Sequence, residues 1–324
     1  MNMDLTWIAS LVATLSVPVP ASAPAPPEPP VGPPPKVAYG FSENPTFQGG
    51  DWELVRADGS RQPLPSPPYQ LVVHDDFLVN GTGTEGGFDV DVVDRAGRVV
   101  RRDHGLCAFG LATNSDHSLT GWLRGRTLVT IDRAGRLERR RVALPPIECG
   151  RLVPVALDRS RMFLDGSLRN DPYVIRPGRH PYSLESLRRI SDVTRHRVLG
   201  LRARPSHCSA MVTLRGVRRW QTCEHRLLDA APDGRHVLGT AGGGINPRAV
   251  SILTRDGHLV TEWARQAGAW IDSVRWEDAG HVLVILQDTR GWSVVRIGVD
   301  GSVEYAVAPL AISSDYSPFR IPLS

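Results

Sequence analysis

A short turn ending in glycine recurs along the chain. It appears as Arg56-Ala57-Asp58-Gly59, Asp94-Arg95-Ala96-Gly97, Asp132-Arg133-Ala134-Gly135, Arg176-Pro177-Gly178, Leu214-Arg215-Gly216, Arg255-Asp256-Gly257 and Val299-Asp300-Gly301. Successive glycines stand 38, 38, 43, 38, 41 and 44 residues apart. A period of that length is what a four-stranded propeller blade needs, since one sheet covers its faces only by stacking on its neighbours.

Each turn follows a β-rich run: Trp52 to Val55, Phe88 to Val93, Thr127 to Ile131, Tyr173 to Ile175, Ala210 to Leu214, Ala249 to Leu253 and Trp292 to Ile297. A second short strand follows each turn, as in Arg98 to Arg101 or His258 to Trp263. Glycine at the join supplies the positive φ that a tight hairpin requires. Two further strands precede the pair in every unit but the first, most clearly Arg226 to Ala230 and Arg235 to Gly239 around Pro232-Asp233-Gly234. The last unit repeats this as Ser273 to Trp276 and His281 to Gln287. The run His281 to Leu286 is almost continuously apolar, as a strand covered on both faces should be.

Composition agrees: 31 Gly and 27 Pro against 6% aromatics favour many turns and short elements, and 41% hydrophobic residues suffice for a packed core. Outside the N-terminus there is no 20-residue apolar span, no heptad array and no metal-finger cysteine pattern. That removes polytopic membrane proteins, coiled coils and zinc ribbons. The expected fold is all-β: a seven-bladed β-propeller of four-stranded antiparallel blades, with six blades and a decorated edge as the alternative. The first unit lacks an innermost strand, and the C-terminal segment Tyr316 to Ile321 is expected to supply it and close the ring.

The segment Ala231-Pro232-Asp233-Gly234-Arg235-His236-Val237-Leu238 resembles the Ser/Ala-Pro-Asp-Gly-Lys/Arg repeat of TolB-like and WD40-like bacterial propellers. Trp276-Glu277-Asp278, His281-Val282-Leu283 and Val299-Asp300-Gly301 look like exported propellers of high-GC Gram-positive bacteria. The likeness covers residues 190 to 305 well and the first three units loosely, and it lacks the Gly-His and Trp-Asp dipeptides of eukaryotic WD40 repeats. It implies a propeller used as a binding platform and carries over no catalytic residue.

Leu5 to Val19 is an apolar run short of a membrane span, followed by Val19-Pro20-Ala21. This reads as a signal peptide or anchor over 1–21, although the leading residues lack a basic side chain and carry Asp4. Ten of the eighteen residues from Pro18 to Pro35 are proline, so 22–36 is expected to be an extended linker before a single propeller domain over 37–324. The expected location is secreted or extracytoplasmic, with membrane contact only through an uncleaved N-terminal segment.

An even set of four cysteines fits that compartment. Cys208 and Cys223 lie seven residues before Arg215 and seven after Gly216. A two-residue turn there makes them cross-strand partners within disulfide reach. Cys107 and Cys149 begin consecutive units, and a bridge between them is expected to staple two blades.

The chain carries no Gly-x-Ser-x-Gly elbow, no His-Glu-x-x-His and no phosphate-binding loop; Asp165-Gly166-Ser167, Glu224-His225 and Thr240 to Ile245 fall short of each. Asp75, Asp76, Asp89, Asp91 and Asp94 lack the spacing of a calcium loop. No cofactor, metal or catalytic residue is therefore assigned. The net charge is +4, with one Lys (Lys36) beside 37 Arg. Between Arg176 and Arg226 stand twelve Arg against Glu185, Asp192 and Glu224. From this stretch Arg188, Arg189, Arg195, Arg197, Arg202, Arg204, Arg218 and Arg219, with Arg215, form a candidate anion-binding face. The leading expectation is a monomeric, non-enzymatic exported propeller binding an envelope protein or anionic cell-surface polymer. The alternative is a hydrolase or lyase acting on extracellular carbohydrate or peptide. Nucleic acid is not an expected partner, because basic and aromatic residues are not interleaved as stacking platforms.

Overall fold

The computed structural model describes residues 28–323, apart from 47–48, 85–86, 107, 146–148, 159–160, 167–171, 206 and 242–245. The first repeat unit holds β1 (Tyr39–Phe41), β2 (Glu53–Val55) and β3 (Arg61–Pro63). The second holds β4 (Gln70–Val73), β5 (Phe77–Thr84), β6 (Gly87–Asp94) and β7 (Val99–Leu106). The third holds β8 (Ala112–Thr113), β9 (Leu119–Arg124), β10 (Thr127–Asp132) and β11 (Leu137–Arg141), and the fourth β12 (Leu152–Asp158), β13 (Arg161–Gly166), β14 (Tyr173–Ile175) and β15 (Tyr182–Ser183). The fifth holds β16 (Leu187–Val193), β17 (Arg197–Arg202), β18 (Ser209–Thr213) and β19 (Arg218–Thr222), and the sixth β20 (His225–Ala230), β21 (His236–Ala241), β22 (Ala249–Thr254) and β23 (Leu259–Ala264). The seventh holds β24 (Trp270–Trp276), β25 (His281–Asp288), β26 (Gly291–Gly298) and β27 (Val303–Leu310), after which the chain ends in β28 (Phe319–Arg320).

The arrangement is a β-propeller, but the expectation of seven, or six, separate four-stranded antiparallel blades needs correction. Among the described residues five four-stranded antiparallel sheets form, and the strands of units three and four make one eight-stranded sheet in the order β11-β10-β9-β8-β12-β13-β14-β15. The join is a parallel pairing of β8 with β12 at Thr113 and Ala156. Small side chains explain the fusion: Ala112 and Ala156, both buried, let the two innermost backbones approach closely enough to bond.

The C-terminal strand closes the ring, with β28 paired antiparallel to β1 at Gly40–Arg320 and Phe41–Phe319. The core is distributed in layers between neighbouring sheets. One layer joins Leu238, Val250 and Ile252 of unit six to Val274, Val282 and Val284 of unit seven. This is why Val282 to Leu286 runs apolar without alternation; all five residues are at most 5% exposed.

The described end of the Pro-rich stretch, Glu28 to Lys36, lies along unit seven. Val31 bridges Tyr305, with Tyr305 N–H donating to Pro30 O at 2.8 Å and Gly32 N–H to Tyr305 O at 2.9 Å. Proline has no N–H, so its carbonyls need donors from elsewhere. Arg296 supplies them, reaching Pro33 O at 3.0 Å and Pro34 O at 2.9 Å. The same guanidinium is paired with the fully buried Glu277 at 2.6 Å and 2.8 Å, and Glu277 in turn accepts the Lys36 N–H at 2.6 Å. The strap therefore covers what would be an open sheet edge.

No helix among the described residues is long and apolar enough to cross a membrane. The run Leu5 to Val19, Cys107 and the glycines of 242–244 lie outside the described residues.

Candidate functional site

At one end of the ring lie the turns joining first to second and third to fourth strands of each unit. In unit six the first of these is the Pro-Asp-Gly motif. Ala231 N–H donates to His236 O at 2.9 Å, Gly234 N–H to Ala231 O at 2.8 Å, and Gly234 takes φ 68°. Asp233 caps the turn by accepting Arg235 N–H at 2.9 Å. Unit five makes a shorter version, with Thr194 N–H on Arg197 O at 2.8 Å. Between these two turns opens a cleft of about 490 Å³.

The floor of the cleft is a carboxyl pair. Counting back two residues from the residue whose N–H closes the first turn gives Val72, Ala112, Asp192, Asp229 and Arg275 in units two, three, five, six and seven. Ala156 holds the same place in unit four, where β12 meets β13. Thus three successive units replace a small or apolar residue by Asp, Asp and Arg. A β-bulge precedes each aspartate: the register shifts at Ser191 between Ile190 and Asp192, and at Leu228 between Leu227 and Asp229. The extra residue re-aims the side chain that follows it.

Asp192 accepts the Ala230 N–H at 3.0 Å and shares a carboxyl–carboxyl hydrogen bond with Asp229. Burial, followed by the charge of Asp229, holds the Asp192 carboxyl far above the usual carboxylate range, so the pair keeps a proton at neutral pH. Beneath the pair is a second cavity of about 60 Å³, which Arg275, Thr113 and Asn114 also line.

The rim is cationic. Arg195, Arg197, Arg219 and Arg255 line it with His117, His196 and His236. Arg197 is held below the usual guanidinium range by burial and by the charges of Arg255 and Arg219. Its Nη1 donates to Met211 Sδ at 3.0 Å and to the Arg255 carbonyl at 3.4 Å, rather than to a carboxylate. His117, at φ 53°, is held below the usual imidazole range by burial and by Arg133. His236 Nδ1 is buried with no partner among the described residues.

Of the eight arginines singled out by sequence, Arg195, Arg197 and Arg219 line this cleft. The remainder are distributed elsewhere. Arg188 and Arg204 are exposed, and Arg189 lies 3.9 Å from Asp165. Arg202 and Arg218 both donate to Gln221 Oε1. Arg197 and Arg202 sit at the two ends of β17, about 17 Å apart at the usual strand rise. Sequence reading missed Arg255, His117, His236 and the Asp192–Asp229 pair. The recoverable signal was in the repeat itself, where Asp192 and Asp229 occupy equivalent positions.

Cys208 and Cys223 form a disulfide with Cα atoms 4.0 Å apart. The side chains of Cys107 and Cys149 are outside the described set. The acidic residues of unit two are engaged within it: Asp91 accepts two bonds from Arg102, at 2.5 Å and 2.8 Å, and Asp94 caps its own turn. Glu277, Asp278 and His281 stand within 4.8 Å of one another, but Arg296 and Lys36 take up their carboxylates.

No family model and no curated protein matches the chain. Solved structures do. A functionally unknown protein from Desulfotomaculum acetoxidans is 10% identical, with a TM-score of 0.55 over 89% of this chain and 99% of that one. A putative TolB from Agrobacterium tumefaciens is 14% identical, with a TM-score of 0.42 over 70% and 94%. The WD40 β-propeller domain of Doa1 is 12% identical, with a TM-score of 0.40 over 60% and 66%. TolB-like and WD40 propellers are thus among the structural neighbours. These likenesses concern fold.

Proposed function

We propose that this propeller is an extracytoplasmic binding platform whose cleft between units five and six receives an anionic group of an envelope partner or cell-surface polymer. The observation that carries the reading is that Arg195, Arg197, Arg219 and Arg255 line one cleft, with Arg197 Nη1 3.4 Å from the Arg255 carbonyl. Like charges brought together at one rim gain from a bound phosphate or carboxylate, and the guanidinium fork suits both. The retained proton on the Asp192–Asp229 pair lowers the opposing negative charge beneath. The Cys208–Cys223 disulfide supports an oxidising compartment.

The test is binding of polyglutamate and inorganic polyphosphate to the full chain between 0.05 and 0.5 M salt. Affinity should fall with salt. It should also fall in Arg195→Ala/Arg219→Ala/Arg255→Ala but not in Arg188→Ala/Arg204→Ala. Salt-independent binding, or equal loss in both variants, refutes the reading.

The same carboxyl pair favours a second reading, a hydrolase acting on carbohydrate or peptide, because an acid hydrogen-bonded to a carboxylate can move a proton in either direction. Turnover of glycan or peptide libraries that disappears in Asp229→Asn would select it over simple binding.

A further inference from the structure

The opposite end of the ring carries different chemistry. The exposed large aromatics among the described residues are Tyr69, Phe109, Trp270 and Tyr316. All four lie on, or at the end of, a connection from one unit's last strand to the next unit's first, so they share the end away from the arginine cleft. Tyr69, Phe109 and Tyr316, respectively 64%, 36% and 45% exposed, converge with Trp52 on one pocket of about 400 Å³. That volume is in the range of small-ligand sites. The aromatic walls are braced from beneath. Phe88, fully buried, meets Tyr69 edge-on at 6.3 Å and Phe109 at 6.0 Å.

One cation belongs to this pocket. Arg320 lies over the Trp52 ring at 5.4 Å. Its Nε donates to Pro68 O at 3.1 Å and its Nη1 to Phe319 O at 2.9 Å. Burial holds this guanidinium below its ordinary range, against the opposing charge of Asp272. Thr82 and Thr84 add hydroxyls to the lining.

We propose that this pocket binds an acidic pyranose unit of a glycan, its apolar ring face stacked on Tyr69 and Tyr316 and its carboxylate directed to Arg320. Stacking accounts for solvent-facing aromatic walls, and the guanidinium supplies charge complementarity to a uronate. A polyproline segment is the less suitable occupant. Such grooves present an accessible aromatic face and indole donor, whereas Trp52 is 4% exposed and its Nε1 is committed to Gly49 O at 3.1 Å.

The experiment is calorimetric titration of the full chain with tetragalacturonate, with neutral maltotetraose and a proline decamer as comparison probes. Tetragalacturonate should bind and maltotetraose should bind at least about tenfold more weakly. Tyr69→Ala and Tyr316→Ala, both at exposed positions, should each cost about tenfold in affinity, as loss of a stacking platform does. Gly83 lines the pocket, and a side chain there meets open space, so Gly83→Leu should block binding without disturbing the fold. The titration is repeated in Arg195→Ala/Arg219→Ala/Arg255→Ala, where the cleft no longer competes for the uronates, and binding at the aromatic pocket should persist there. Failure of tetragalacturonate to bind, equal binding of maltotetraose, displacement by the proline decamer, or loss only in the cleft variant overturns the proposal.

Discussion

Asp192 and Asp229 hold the same place in successive repeat units, each one residue past a β-bulge, and their carboxyl groups hydrogen-bond at the floor of the cationic cleft. Two carboxylates side by side, Asp229 buried and Asp192 half-buried, repel unless one keeps its proton, so the junction between units five and six depends on pH.

The sign follows from the raised pKa. The folded chain binds a proton that the unfolded chain releases near the ordinary aspartate value of about 4. Stability contributed by the protonated pair is therefore present at acid pH and lost as pH rises toward the elevated value of Asp192. Melting temperature measured from pH 4 to 9 should fall from about pH 4 to about 8 in the native chain and level off above that. In Asp229→Asn the repulsion is gone and the slope should lessen, leaving the part that burial of Asp192 causes; an unchanged slope would mean that the pair does not share a proton.

Glu277 and Arg296 form a buried pair, 0% and 3% exposed, that also fastens the proline strap. Glu277→Ala strips the guanidinium of its fully buried partner and leaves it only Glu304, and should cost at the lower end of about 3–5 kcal/mol in urea unfolding. Protease cleavage within 28–36 should rise in parallel. Glu277→Gln, which keeps acceptor oxygen in place, should cost less.

Arg255 faces other guanidiniums across the cleft, and its nearest acid is Asp256 at 4.0 Å. Arg255→Ala should change stability by no more than about 0.5 kcal/mol, as surface substitutions usually do. Its affinity for polyphosphate should nevertheless drop. A large loss of melting temperature would show that this arginine holds the fold instead.

The Cys208–Cys223 bridge closes a separation of 15 residues. By the chain-entropy relation, Cys208→Ser/Cys223→Ser should lose about 3 kcal/mol. Guanidinium unfolding with and without reductant checks this: reductant should cost the native chain at least as much as the double substitution does, and the variant should lack that part of the loss.

That bridge shows how much register a sequence can reveal, and how indirectly. Symmetry about Arg215-Gly216 places the two cysteines opposite each other if the turn has two residues. The turn is in fact longer: Thr213 N–H bonds to Val217 O, leaving Leu214, Arg215 and Gly216 outside the ladder. A bulge between Met211 and Val212 on the pairing with β19 then shifts the register by one. The two departures cancel, and Ser209 pairs with Thr222 immediately inside the bridge. The candidate site was less legible. Strand alternation and position along β17 separate Arg197 from Arg202, and no run of arginines reveals which of them face one cleft.

The sequence alone determined the repeat, the turns that punctuate it, the all-β propeller class and the strand supplied by the C-terminus, because these rest on local periodicity and on glycine's access to positive φ. Only the tertiary structure decided that units three and four share one eight-stranded sheet, that the last prolines lie on unit seven, and that Asp192 and Asp229 meet. Those outcomes depend on how closely neighbouring backbones approach and where a bulge turns a side chain. Both are set by packing between residues far apart in the chain.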